Sequence, residues 1–237
     1  MDDTLIVNQA LYERAASLLY GYLRSFGISQ EEAHRLREST DKELYKTFGY
    51  SRKRYPETFE QVLKHFVPDA DAEMVQIVRD FAETVFSTVA KEKPGTIEAI
   101  NLLTEHYSVY IVTQGDHSVQ KDRLSHLSFK DKLSDAFIVE KKNKETFSDI
   151  AQRLGFKPDE VVMMGDSLKS DIIPSVAAGM QAVWVEADNW SLEANNEFPA
   201  ERAYKFFSLL EASRHLVKHG TPATAVVSDK KKPSPKP

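Results

Sequence analysis

Apolar residues at Leu11, Ala15, Leu18, Leu19, Tyr22, Leu23 and Phe26 recur at the three-to-four-residue spacing of a helix face, and the stripe stops at Gly27. Ser29 and Glu32 are spaced as a capping box, so a second helix opens there. Phe59, Val62, Leu63 and Phe66 predict a third helix; Val75, Val78, Phe81, Ala82, Val85, Phe86 and Val89 predict a fourth. Residues 10–90 therefore read as a helical block without a strand.

The pattern changes at Pro94. Ile97, Ile100 and Leu103 mark another helix, which leads into a short β-branched run at 109–112 that ends in Thr-Gln-Gly. Similar apolar runs follow at 136–139, 161–164 and 182–185. Helical segments at 119–127, 147–154 and 171–178 separate them, the last two closed by Gly155 and Gly179. Alternating helices and apolar strands predict an α/β fold with a parallel sheet covered on both faces. The expected organisation is a core of residues 1–9 and 91–215, a helical insert at 10–90, and a Lys/Pro-rich tail at 216–237 too polar to pack.

Composition narrows the classes. Hydrophobic residues make up 41% of the 237, with 13 Phe and 9 Tyr, enough to build a packed core. The net charge is −5 and the cations are mixed among the acids, which gives no electrostatic case for nucleic acid as a partner. With no cysteine, disulfides, CxxC zinc sites and thiolate nucleophiles are all excluded. No stretch approaches the ~20 apolar residues of a membrane span, and no basic and apolar leader stands at the start, so the expected location is the cytoplasm.

Ligands of open parallel sheets bind beyond the carboxyl ends of the strands. The residues found there are Thr113, the pair Lys141 and Lys142 in VEKKNKETF, and Gly165-Asp166 in VVMMGDSLKSD, with Asp171 a turn further on. Alone, each has an ordinary reading: a turn threonine, a solvated lysine cluster, a helix-capping acid. Together they have a chemical logic. A hydroxyl and an ammonium hold phosphoryl oxygens, a carboxylate holds Mg²⁺, and an acid beside the leaving group completes a phosphoryl-transfer site. Asp2, in MDDTL, is the candidate for that acid. No GxGxxG, GxSxG, P-loop or HExxH spacing offers another chemistry.

MDDTL, VYIVTQGD, EKKNKETF and VVMMGDSLKSD, in this order, resemble the four motifs of the haloacid dehalogenase superfamily, and PGTIEAINLL and DIIPSVAAGMQAVWV extend the likeness. The resemblance implies a Rossmann-like core, with the block at 10–90 as a helical cap that closes over the substrate. It implies Mg²⁺-dependent hydrolysis of a small phosphorylated metabolite through an aspartyl-phosphate. Asp2 would be the general acid and base, and Thr113 with Gln114 and Gly115 would bind the phosphoryl group. Lys141 or Lys142 would be the motif lysine, with Asp2, Asp166 and Asp171 around the metal. An Asp at position 2 favours phosphatases and phosphomutases over dehalogenases within the superfamily. Arg52 and Arg54, in Ser51-Arg52-Lys53-Arg54-Tyr55, are candidates for a second acidic group of the substrate, with a solvated loop as the alternative.

The likeness departs from the family at one place. The pattern Asp-x-Asp-x-Thr makes Met1 the first x and puts the nucleophile two residues before Asp2. The expectation is that Met1 is an internal methionine and that the natural start lies about 5 to 20 residues upstream, beyond a central strand. A chain without that strand would fold poorly and be inactive. The rival reading is a nucleophile-free relative that serves as a ligand- or protein-binding module; a phosphomutase is the rival enzyme.

Overall fold

The computed structural model describes residues 1–185 and 198–220. Four helices follow the first turn of chain: α1 (Gln9–Arg24), α2 (Gln30–Phe48), α3 (Arg54–Phe66) and α4 (Ala72–Ser87). Their apolar stripes face one another, and Leu19, Leu23, Phe59, Val62, Leu63, Val78 and Ala82 form a core of their own. The capping box read from the sequence is present: the Ser29 hydroxyl accepts from the Glu32 amide, and Glu32 reaches back to the Ser29 amide. Losing a cap of this kind costs about 1 kcal/mol. Ser29→Ala should lower the urea midpoint accordingly, whereas Ser39→Ala, on the exposed side of the same helix, should leave it nearly unchanged.

The remainder alternates: α5 (Thr96–Thr104), β1 (Tyr110–Gln114), α6 (His117–Ser125), β2 (Asp135–Val139), α7 (Lys144–Leu154), β3 (Val162–Gly165), α8 (Ile173–Ala177), β4 (Gln181–Val185), β5 (Ala203–Phe206) and α9 (Leu209–His219). All strand pairings are parallel, but the strands fall into two sheets, β1 with β2 and β3-β4-β5. The expected single sheet is thus divided: among the described residues, no strand hydrogen-bonds to both β1 and β3. The two halves share one core, in which Met1, Leu5 and Ile6 pack with Ile111, Val183 and Val185.

Two elements add to the expected set. β5 extends the second sheet, and α9, capped by the Ser208 side chain, packs against α5, β4 and β5. Residues 216–219 accordingly belong to α9 and not to the tail, because Leu216 is buried in the core stripe of that helix. Gly220 follows as the C-cap of that helix, and residues 221–237 lie outside the described residues. The segment expected as one helix at 171–178 is instead a π-helical turn, Leu168–Ile172, running into α8.

The helical block leaves the α/β portion through two crossing segments. Ile6 and Glu92 form an antiparallel bridge, with Val7 N donating to Lys91 O and Lys93 N to Leu5 O. Lys93 Nζ also reaches the carbonyl of Asp3.

Candidate active site

The turn at the start of the chain aims the first carboxylate. Asp3 takes a left-handed φ of 54°, a conformation that Asp tolerates better than most residues, and this reverses the chain directly after Asp2. The Asp3 carboxylate then accepts from the amides of Asn8 and Gln9, satisfying two free donors at the start of α1. Burial pushes its pKa up, against those two hydrogen bonds.

β1 delivers Thr113, Gln114 and Gly115 to its carboxyl end. Gly115 has φ +149°, and an added Cβ would lie 2.8 Å from the Gln120 amide nitrogen, so the turn into α6 needs glycine here. Gln120 is buried and bridges two motifs. Its Oε1 accepts from the Thr113 hydroxyl at 3.0 Å, and its Nε2 donates to Asp2 Oδ2 at 2.9 Å. Arg123, one turn on, places Nη1 2.9 Å from the same Asp2 oxygen. Asp2 Oδ1 is buried and has no hydrogen-bond partner.

The structure separates the two lysines. Lys142 is enclosed, with Nζ 2.5 Å from Asp171 Oδ1 and its backbone amide donating to Gln114 Oε1. Lys141 is exposed, and its carbonyl accepts from the Thr146 hydroxyl. Asp171 also accepts from the Ser167 amide through Oδ2. Asp166, directly after β3, takes the Thr4 hydroxyl at 2.5 Å, and its carbonyl accepts from the Trp184 indole.

Asp2, Thr113, Lys142, Asp166 and Asp171 line a single cavity of about 260 Å³, together with Gln114 and Gly115. The helical block supplies its other wall, where Tyr12, Arg37, Asp41 and Arg54 face in. Of the two arginines expected at the substrate, Arg54 lines the cavity but is buried against Asp41, with Nε 3.0 Å from the carboxylate. Arg52 does not line it; its side chain pairs with Glu83, while its backbone amide contacts Asp116 across the seam to the core. Asp116 has its pKa lowered by the Ser118 hydroxyl first and by the Arg52 amide in support.

Gln120 and Arg123 were missed by the motif reading. The sign that could have found them is a short helix without an apolar stripe: α6 buries Val119 and Gln120 and encloses Arg123.

Asp166 is the most perturbed acid here. Burial, then the charge of Asp171, raise its pKa to about 6, opposed by the Met1 amino group and the Thr4 hydroxyl. Among the described residues no three acidic or His side chains converge as a cage. A buried carboxylate pushed toward neutrality still fits a hard cation such as Mg²⁺, which takes one or two carboxylates and fills its shell with water and phosphate oxygens. Asp2 and Asp171 are less available, being held by Gln120 and Arg123 and by Lys142 respectively.

This raised pKa has a sign that can be tested. The folded value, about 6, lies above the ordinary 3.8, so ionising Asp166 costs stability. The deficit is nearly absent at about pH 3, grows as pH rises and is complete above about 6. In metal-free buffer, Asp166→Asn is therefore expected to stabilise the fold by roughly 1 to 3 kcal/mol at pH 7.5, by about a third of that at pH 4.5 and hardly at all near pH 3. Urea denaturation at the three pH values reads the difference.

Comparisons with known proteins bear on the family and the fold. A glyceraldehyde 3-phosphate phosphatase of Methanopyrus kandleri is 28% identical over 235 residues, covering 92% of this chain and 96% of the relative. Two solved structures share the fold. A haloacid dehalogenase-like family hydrolase from Xanthomonas campestris superposes with a TM-score of 0.75 at 20% identity, over 92% of this chain and 90% of the other. The HAD-hydrolase YfnB of Bacillus subtilis, solved with magnesium, gives 0.66 at 21% identity, over 91% and 95%. The family model for haloacid dehalogenase-like hydrolases matches residues 1–179, and the chain belongs to that family.

Proposed function

We propose that this chain is the greater part of a Mg²⁺-dependent hydrolase of small phosphate monoesters that works through an aspartyl-phosphate. The nucleophilic carboxylate would come from an Asp two residues before Asp2, on a strand seated between β1 and β3. One observation carries the reading: Asp2, Thr113, Lys142 and Asp166, from four separate stretches of sequence, line one cavity at the strand ends. The name of the archaeal relative supports phosphate-ester chemistry, and the magnesium in the Bacillus structure supports the metal.

Each group has a defined task. Lys142, enclosed and oriented by Asp171, brings a positive charge to the phosphoryl oxygens, and the Thr113 hydroxyl turns from Gln120 to donate to them. Asp2, held by Gln120 and Arg123 through Oδ2, would give a proton to the departing oxygen and then take one from the attacking water. Asp166 would hold Mg²⁺, which supplies positive charge against the phosphoryl oxygens. The helical block over the cavity excludes water from the reacting groups.

The test compares this chain with one extended upstream to carry the Asp, assayed on p-nitrophenyl phosphate with and without Mg²⁺. Turnover by the extended chain alone, dependent on Mg²⁺ and lost when that Asp becomes Asn, is the expected result. Phosphate binding without turnover by either chain would replace the hydrolase with a binding module.

A further inference from the structure

Gln120 is buried in α6, at 3% exposure, and its carboxamide joins two motifs of the cavity. Nε2 donates to Asp2 Oδ2 at 2.9 Å and, more weakly, to the Gln114 carbonyl at 3.4 Å. Both partners accept, Asp2 as a carboxylate paired with Arg123, so the NH₂ end faces them and Oε1 faces Thr113. The Thr113 hydroxyl, 3.0 Å away, is therefore the donor in that pair. A hydroxyl has one hydrogen, and Gln120 holds it in the resting site.

A charged phosphoryl oxygen at the cavity wall competes for the same hydrogen. Thr113 can serve one acceptor or the other. When its hydroxyl turns to the phosphoryl group, Oε1 of Gln120 is left buried and without a donor. The carboxamide cannot follow, because its Nε2 is tied to Asp2 and Gln114. The Gly115 turn also closes over it: a Cβ on Gly115 would lie 2.8 Å from Nε2 and 3.5 Å from Cδ. A flip of the amide would set Oε1 against Asp2 and the Gln114 carbonyl, oxygen facing oxygen. The stranded acceptor bears its own desolvation, which counts against phosphate binding.

We infer that Gln120 is a positioning residue that competes with the phosphoryl group for the Thr113 hydroxyl, and so keeps inorganic phosphate, the product of hydrolysis, weakly held. This rests on the phosphatase reading of the cavity and adds a control on product release. Removing a residue that only shaped the site would loosen phosphate, whereas removing a competitor tightens it. The two roles differ in sign.

The experiment is calorimetric titration of the present chain with inorganic phosphate in Mg²⁺, for wild type, Gln120→Met, Thr113→Val and the double variant. Met keeps the length of Gln and loses its acceptor and its donor. Gln120→Met is expected to bind phosphate roughly five-fold to ten-fold more tightly than wild type. In the Thr113→Val background the same change should leave affinity within about two-fold, because no hydroxyl remains to be released. An effect passing through Asp2 would persist in that background, so the cycle isolates Thr113. Gln120→Glu keeps an acceptor for Thr113 and should show no gain. Circular dichroism verifies folding, and Gln120→Leu, with the same expectation, replaces Gln120→Met if the latter does not fold. Unchanged or looser binding by the folded apolar variant overturns the inference and leaves the phosphatase reading intact. So does an equal gain in the Thr113→Val background, or a gain in Gln120→Glu. Failure of folded wild type to bind phosphate overturns that reading and the inference with it.

Discussion

Asp2→Asn, made in the upstream-extended chain, is expected to lower kcat by roughly 10² to 10⁴, the range that a positioned acid or base contributes. The loss should be larger for an alkyl phosphate than for p-nitrophenyl phosphate. Nitrophenolate leaves without much help from a proton, whereas an alkoxide leaves slowly unless it is protonated in the transition state. Asn keeps an oxygen for Gln120 and Arg123, so the loop geometry survives. KM should therefore move little while kcat falls. An equal loss on both esters would confine Asp2 to the second step, in which the same water is activated whatever group has left.

Gly165→Ala is expected to be the most damaging small change in the site. A Cβ at that position would lie 2.3 Å from Asp171 Oδ2 and 2.5 Å from its Cβ and Cγ, far inside contact distance. Asp171 is buried at 2% exposure and tethered to Lys142 and the Ser167 amide, so it cannot step aside without taking them along. Overpacking of this kind costs about 1 to 3 kcal/mol. Moving the lysine by about 1 Å costs on the order of 10² in rate. Gly21→Ala is the control: it sits inside α1 with nothing within 4 Å of the new methyl, and should be neutral to stabilising by about 1 kcal/mol. Urea midpoints of both variants, and turnover of both in the extended chain, would show whether the damage comes from the contact with Asp171 or from losing a glycine.

The helices of the inserted block were legible because their apolar residues follow one period long enough to stand out, and the strands β1 to β4 because each carries an unbroken apolar run. Ser29 and Glu32 gave a helix start to the residue. β5 escaped because Lys205 interrupts its four residues, Ala203 to Phe206, so that no unbroken apolar run stands out. α9 was obscured by the polar tail that follows it, although Ser208 and Glu211 form a capping signal in the sequence. Within the site, the motif positions could be read from residue type and order, whereas the choice between Lys141 and Lys142 could not. Adjacent residues share a spacing, and only the enclosed ion pair with Asp171 separates them. Gln120 and Arg123 lay beyond a motif search for another reason. Their partner, Asp2, is 118 and 121 positions away, and the local sign, a helix without an apolar stripe, does not say what it contacts.

The crossing of Leu5–Val7 with Lys91–Lys93 makes the helical block an exchangeable part. Because the outgoing and returning segments are hydrogen-bonded side by side, the insert begins and ends at almost the same point, with backbones about 5 Å apart as in any antiparallel pair. The α/β portion therefore demands very little of what is inserted there: two adjacent ends and a face that reaches the cavity. A block of different length or helix number could be grafted at this crossing without altering a single strand. The residues that face the cavity from that side could in that way be rewritten separately from those at the strand ends.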